Sequence, residues 1–575
     1  MTGLARRNWK RATRYRAACR RGGKPVNIVR RQKIIAAALL CATVAWTATA
    51  QESLKLPQQI VTPDSVESSI GTLKYKDGAP SKETVEKVYD YLDLMHGVEA
   101  FVNAYQGASV AAIFKGFEDA GVADNTAVIW SELMDAKSVF LTANADTVYF
   151  WVNLNVAEGP IVVETPPMSL GVIDDIWFRW VTDFGLPGPD RGAGGRFLLV
   201  PPGYKGDLPE SGYFVHKLAT TRATALGRSF LENNDPKPTV ELIRKTLKVY
   251  RYVPGGYGTS IASALEGKAT LQRSADHKLD WSFLKPQDPV KFTEGTGKAM
   301  NTIPPNDFSY FQMINDLVQK EPAEALDPEI MGSLAAVGII KGKPFEPDAR
   351  MKKILTDAAA IGTAAGRTLN WNPRKAEGWF YYPDSAWMNM LFAGGYTFET
   401  PPPEVSAEGI ITPNAPTGYR TLNSRTAMFF YATGITPAMI MRLTGVGSQY
   451  LGAFVDSNGE YLDGSKTYKM TLPQNIPAEK FWSLTLYDNQ TRSMLDTPQR
   501  YPRAGSQTYP SPAAVAGSDG STTVYFGPTK PDGVSDGNWI QTVPGKGWNT
   551  LLRLYSPLEP FFTKEWRPSE IEVVR

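Results

Sequence analysis

From Ala145 to about Leu218 no apolar run has the length or spacing of a helix. The runs Val148 to Leu154, Ile161 to Glu164, Ile176 to Val181, Phe197 to Val200 and Tyr213 to Leu218 are short. Glu158-Gly159-Pro160, Pro187-Gly188-Pro189 and Pro201-Pro202-Gly203 separate them. Short runs punctuated by Gly and Pro can satisfy their backbone hydrogen bonds only by pairing with one another, so this stretch reads as a β-sandwich. The signature returns from about Tyr450, in Leu451 to Val455, Lys466 to Leu472, Phe481 to Tyr487, Thr522 to Phe526, Leu551 to Tyr555 and Ile571 to Val574. Ser457-Asn458-Gly459, Asp463-Gly464 and Asp519-Gly520 supply the turn chemistry. A second all-β domain is expected there.

Elsewhere the period is helical. Ser81 can cap a helix in which Val85, Val88, Leu92, Met95, Val98, Val102 and Tyr105 recur at helical spacing. Further helices are expected at Val240 to Tyr250, Phe308 to Gln319, Pro328 to Val337, and Asp348 to Arg367 before the Asn370-Trp371-Asn372-Pro373 break. The expected division is a leader and signal over 1–50, a flexible segment over 51–80, a helix plus first β-sandwich over 81–235, a helical connector over 236–449 and a second sandwich over 450–575.

The leader expectation rests on Arg30-Arg31-Gln32-Lys33, the apolar run Ile34 to Val44, and Ala48-Thr49-Ala50 before Gln51, which follow the order of a secretory signal. The run is short of the ~20 residues that span a bilayer. Cys41 follows Leu40, where a lipid-attachment signal wants a small residue. Translation from Met1 or from a start near Val26 both fit this reading. Export is therefore expected, to the periplasm or beyond the cell. Cleavage after Ala50 would remove twelve Lys and Arg and no acid, turning the net charge from +3 to −9. An acidic surface argues against nucleic acid or anionic lipid as partner. Cleavage would also remove Cys19 and Cys41, leaving a cysteine-free mature chain.

Two sets of motifs resemble known families. Asn144-Ala145-Asp146-Thr147-Val148-Tyr149, then Glu158-Gly159-Pro160, then Arg196 to Gly206 resemble domain of unknown function 1254. Leu462-Asp463-Gly464-Ser465, Phe481 to Asp488, Asn538-Trp539 and Leu552 to Pro557 resemble its companion, domain of unknown function 1214. The resemblance runs from about residue 80 to the C-terminus. It implies an immunoglobulin-like sandwich followed, after a helical insert, by a jelly-roll-like sandwich, and it supplies no catalytic residues. Ala143 and Ala145 stand where those families usually have Pro and a larger residue, so the loop leading to Asp146 is expected to sit differently here.

Three familiar catalytic signatures are absent: no His-Glu-x-x-His, no Walker loop and no six-residue dinucleotide glycine pattern. Ser282-Phe283-Leu284-Lys285 has the Ser-x-x-Lys spacing, which chance alone supplies in a chain of this composition. A zinc site would need His96, His216 and His277 to converge from a helix, a strand and a loop, so no metal site is expected. His216 shares a strand face with Phe214 and Leu218, where it is a catalytic candidate or a core-edge histidine. Asn144, Asp146, Thr147 and Tyr149 could bind a sugar, orient a water or form an Asx-type turn, with Asp146 the candidate general base. Aspartates 174, 175 and 183 flank Trp177, Arg179 and Trp180. Alternation puts Asp175, Trp177 and Arg179 on one strand face, as a ligand site or an outward salt bridge. In the second domain Trp482 reads as core with Leu484 and Leu486. Arg553 projects from the opposite face beside Leu551 and Tyr555, toward a cleft between domains.

Three functions fit these residues. One is an exported hydrolase or lyase on a small or oligomeric polar substrate, with Asp146 and His216 catalytic and Asn144, Thr147, Tyr149, Trp177, Arg179, Arg553 and Tyr555 binding. Another is a carbohydrate- or small-ligand-binding envelope protein. The last is a structural or partner-binding envelope protein. No cofactor is expected, although the acidic loops could take a calcium or magnesium ion. Oligomeric state does not follow from the sequence.

Overall fold

The computed structural model describes residues 55–253, Leu265, 287–399, 403–406, 410–415 and 417–574. The leader, His277 and the Ser282 to Lys285 motif lie outside the described residues. One expectation is corrected by the chain itself: it contains two cysteines, Cys19 and Cys41, so it is not cysteine-free.

The architecture is mixed, with several multi-stranded sheets and helical segments. A six-stranded sheet orders Phe292–Glu294, Ala127–Ile129, Val148–Asn155, Arg222–Ser229, Ser169–Asp175 and Trp180–Gly185 from edge to edge. A four-stranded sheet orders Phe214–Lys217, Arg196–Val200, Ile161–Glu164 and Lys248–Arg251. Strand alternation sends Phe150, Val152 and Ala225 into a shared core with Val163, Phe197 and Leu199 of the four-stranded sheet. The same alternation sends Tyr149 and Trp151 the other way, into a larger core with helical residues such as Phe101, Tyr310, Leu355 and Phe430.

The C-terminal part also pairs two sheets. One orders Ser448–Ala453, Trp548–Pro557, Ala478–Asp488 and Arg503–Gly505; the other orders Trp539–Gln541, Thr522–Gly527, Tyr468–Leu472 and Glu572–Val573. Trp482, Leu484, Leu486 and Leu552 pack against Met470, Val524 and Phe526 between them. Trp482 is core, as its alternation requires. The opposite face of the first of these sheets, carrying Ser483, Leu551, Arg553 and Tyr555, turns toward the N-terminal half. No helix among the described residues is long and apolar enough to cross a membrane.

Several expectations are revised. Ile176 to Val181 is not one strand: a turn takes up 176–179, and strand Trp180–Gly185 begins within that range. Asp175 ends one strand and its Oδ1 accepts from the backbone N–H groups of Trp177 (2.8 Å) and Arg179 (3.0 Å), which closes a turn with Phe178 at φ 48°. Strand Arg222–Ser229 was not anticipated, because Ala223, Ala225 and Gly227 have poor β-propensity. They work here because the Gly227 position lies against the Phe150 ring, where a Cβ would come within 1.9 Å. The connector carries strands as well as helices, and the 240–250 helix is Pro236–Thr246, followed by a strand that includes Tyr250. Residues 65–80 form a three-stranded sheet rather than a loose segment, tied to the first helix by the Lys74 N–H donating to Thr84 Oγ1 at 2.8 Å.

The first helix, Lys82–Asp119, starts at Ser81, whose side chain accepts from Thr84 N as expected. Its buried face is offset from the anticipated stripe: Val85 and Met95 are exposed, and Gly97, Ala100, Phe101 and Ala104 face inward. Gly97 lets the helix meet Ala358 of helix Ala349–Trp371, where a Cβ would stand 2.8 Å from the alanine methyl.

Candidate functional site: a cavity between the two layered halves

The loop from Thr142 to Asp146 fastens the N-terminal half to the C-terminal sheet. Asn144 organises it: its Oδ1 accepts from Asp146 N (2.9 Å), Thr147 N (3.2 Å) and Thr147 Oγ1 (3.0 Å), and its amide donates to the Tyr149 hydroxyl (2.8 Å). This is the Asx-type turn, one of the two outcomes the motif allowed. Asp146, at 0% exposure, then accepts from Arg503 Nε (2.7 Å) on one oxygen and from Ser483 Oγ (2.5 Å) and the Tyr555 hydroxyl (3.1 Å) on the other. Both oxygens are occupied. Tyr487 donates to the carbonyl of Ala143 (2.6 Å) and Arg553 Nη2 to that of Thr142 (2.7 Å). Thr142 is held at φ 48°, a conformation that costs a β-branched residue about 1–3 kcal/mol. Ala143 and Ala145 are both buried, and Ala143 borders the cavity beside the loop.

Beside this latch lies a cavity of about 170 Å³. That is close to the ~150 Å³ of an engineered apolar cavity able to hold benzene. One wall is the six-stranded sheet, through Tyr149, Leu170, Val172, Asp183, Leu226 and Arg228. Another is the C-terminal sheet, through Tyr450, Leu551 and Arg553. Met388, Met428 and Met439 stand among the other lining residues, which are mostly apolar and make the wall deformable.

Two guanidiniums interrupt it. Arg228 Nη2 donates to Ser448 Oγ (2.7 Å) and to the Tyr450 hydroxyl (3.0 Å), with the Tyr555 ring 5.9 Å from its centre. Arg553, 2% exposed, lies 5.8 Å from the Tyr450 ring and 5.6 Å from that of Tyr487, and its Nε and Nη1 have no hydrogen-bond partner. Among the described residues no carboxylate is within ion-pair distance of either. Burial pushes the Tyr450 phenol up, but Arg228, the Ser448 hydrogen bond and Arg553 outweigh it, so it ends below the ordinary tyrosine range. At the other end of the same wall Asp183 accepts from Thr436 Oγ1, and burial pushes its carboxyl up to about 6. Its neighbour Asp174 is raised well above the usual range by burial, and accepts only from Ile435 N, at 3.2 Å.

Residues 125–251 match the family described as protein of unknown function DUF1254, and residues 447–559 match protein of unknown function DUF1214. The chain matches both families. The two matches are separate blocks rather than the continuous run from about residue 80, and the cavity lies where their sheets meet. No curated protein matches. Among solved structures, the VPA0106 protein from Vibrio parahaemolyticus is similar at 17% identity, over 84% of this chain and 100% of its own, with a TM-score of 0.47. An uncharacterized protein from Burkholderia cenocepacia is similar at 11% identity, over 86% and 97%, with a TM-score of 0.34.

Of the residues singled out in the sequence, Tyr149 and Arg553 line the cavity, and Asn144, Asp146, Thr147 and Tyr555 build the latch behind it. Trp177, 1% exposed, packs against Gly107 in the helical core. Arg179 pairs with Asp175 at 2.6 Å beyond the cavity. His216 is in the edge strand of the four-stranded sheet, its ring stacked 6.2 Å from that of Phe197, and burial lowers its pKa. Asp146 sits in the loop that fastens the two halves and His216 in an edge strand of the four-stranded sheet, so the two do not converge. Arg228, Tyr450 and Asp183 were missed as site residues. Arg228 was hidden in the unrecognised strand, where its alternation with Arg222, Thr224 and Leu226 was its one signal. Among the described residues no cluster of metal-ligating side chains occurs.

Proposed function

We propose that this is an exported protein that binds a small amphipathic anion between an immunoglobulin-like sandwich and a jelly-roll-like sandwich, with Arg228 and Arg553 receiving the anionic head. The observation that carries the reading is the pair of guanidiniums with no carboxylate partner beside an apolar cavity. The phenols around Arg228 and Arg553, together with Asp146 for Arg553, keep both guanidiniums charged despite their burial, and a ligand that brings a carboxylate to them gains charge-assisted hydrogen bonds. The methionine and leucine lining suits an alkyl or aryl body better than a sugar, whose hydroxyls would be left unpaired. The signal-like leader supports export, with the periplasm as the compartment. In this reading Tyr149 and Tyr450 line the head-group pocket, and Asn144, Asp146, Thr147 and Tyr555 position it.

Native mass spectrometry of the protein recovered from its own exported compartment tests this, comparing wild type with Arg228→Met. The expected result is an acidic small-molecule adduct that the variant loses. An adduct unchanged in the variant, or no adduct together with no octanoate binding by calorimetry, overturns the reading.

A catalytic version is favoured by one observation. Tyr450 is pulled down and Asp183 is pushed up from their ordinary ranges within one cavity, the arrangement that acid–base chemistry uses. In that version Tyr450 replaces Asp146 as the proton acceptor of a lyase or hydrolase. Ultraviolet titration of phenolate absorbance in wild type and Tyr450→Phe checks it: a tyrosine titrating below the usual range and missing from the variant supports it, and identical curves count against it.

A further inference from the structure

Asp183 lies on the same cavity wall as Arg228 but at a distance. Leu226 is directly opposite Val172, and Val172 is opposite Asp183, so all three share one face of the six-stranded sheet. Arg228 is two residues along from Leu226 on that face. Two strand spacings across and two residues along put the Arg228 and Asp183 backbones about 10–12 Å apart. The floor between them is Leu170, Val172 and Leu226, with no polar side chain. The cavity therefore has a cationic end, an apolar middle and a carboxyl end.

The carboxyl is not used up by the fold. A carboxylate has about four acceptor sites. Thr436 Oγ1 takes one, and the same hydroxyl accepts from Ala438 N (3.0 Å) at the start of helix Pro437–Ile440. The Trp180 indole is a second donor. Acceptor capacity remains on a side chain that borders the cavity.

We infer that the ligand carries a second polar group at the end remote from its anionic head, a hydroxyl that donates to Asp183, so that the site takes ω-hydroxylated apolar acids in preference to simple alkyl acids. The inference rests on the anion site proposed above. A ligand of this kind would satisfy both ends of the cavity and leave its body against the Leu and Met lining. A simple alkanoate would press a methyl group against the carboxyl and leave it unserved. The preference is thus set by the acceptor capacity that Asp183 offers to the cavity rather than by shape.

Calorimetric titration of the protein with octanoate, ω-hydroxyoctanoate and octanol separates the two readings. The expected order is ω-hydroxyoctanoate about tenfold tighter than octanoate, with octanol weakest. The preference should collapse to about one in Asp183→Leu and be partly kept in Asp183→Asn, whose amide oxygen still accepts. Equal wild-type affinities for the two acids overturn the inference while leaving the anion site standing. A preference that survives in Asp183→Leu overturns it as well. Octanol binding as tightly as octanoate, or no binding of either acid, overturns the anion site and the inference together. If Asp183→Leu does not fold, the wild-type ratio and Asp183→Asn decide.

Discussion

Arg503 and Arg553 stand two strands apart on one face of the C-terminal sheet, both buried, and they are provided for in opposite ways. Arg503 meets Asp146 at 2.7 Å, and Ser483 and Tyr555 fill the remaining carboxylate oxygen. Arg553, with Arg228 across the interface, has phenol rings and carbonyl or hydroxyl oxygens around it, and among the described residues no carboxylate within ion-pair distance, Asp146 acting on it only from farther away. A completed ion pair holds two halves of a chain in register, whereas an uncompleted one leaves charge for something else to neutralise. The first region explains how the halves are joined, and the second why they are joined around a space.

The largest expected effect comes from breaking the completed pair. Asp146→Ala strands Arg503 without its counter-charge and should lower unfolding stability by about 3–5 kcal/mol, read by urea denaturation. A loss below about 1 kcal/mol would mean that the latch is not what joins the halves.

Next is the pH dependence at the far end of the cavity. The folded pKa of Asp183 is raised from 3.8 to about 6, so the folded state holds this proton more tightly than the unfolded chain does. Its contribution to stability is therefore present at acid pH, is lost as pH rises from about 4 through 6, and stays lost above that. Up to about 3 kcal/mol is at stake. Asp183→Asn should accordingly be more stable than wild type at pH 7.5 and lose that advantage near pH 4.5. Asp174 and Asp175 shift in the same direction, through burial, and steepen the same limb in both proteins. Parallel stability curves for the two proteins across this range would refute the assignment.

Removing the uncompleted charge should act on binding instead. Arg228→Met is expected to weaken octanoate binding at least tenfold, about 1.4 kcal/mol, without lowering thermal stability in the absence of ligand. If the variant is destabilised as severely as Asp146→Ala, the comparison between the two arginine sites fails. The smallest effect is expected at His216, remote from both: His216→Gln should change stability by no more than about 0.5 kcal/mol and leave octanoate affinity as it was. A large change in affinity would return that histidine to the site.

Much of this interface was legible from residues two apart. The alternation Leu551, Arg553, Tyr555 against Leu552 and Leu554 assigned Arg553 to the face opposite the core and pointed it at a cleft, and Asn144 with Thr147 and Tyr149 contained the turn that fastens the loop. Arg228 was not legible. It lies in a strand of Ala, Thr and Gly whose pairing is imposed by neighbours on both sides rather than by its own propensity. The Asp175 turn was misread for a related reason: Ile176 to Val181 alternates like a strand, and only the hydrogen bonds back to Asp175 reveal that it reverses direction.

By itself the sequence determined the local periods, the capping of the first helix at Ser81, the β character of both layered regions and which side chains share a strand face. These depend on neighbours within a few residues. The partner of Asp146 is Arg503, hundreds of positions away, and the partners of Arg228 come from the C-terminal sheet. Charge becomes informative only when its counter-charge is found or found missing, and that is settled by how sheets far apart in the chain come to face one another. Tertiary structure alone therefore decided that one conspicuous aspartate is a fastener, that His216 sits in a different sheet from the cavity, and that Arg228 joins Arg553 and a phenol around a space.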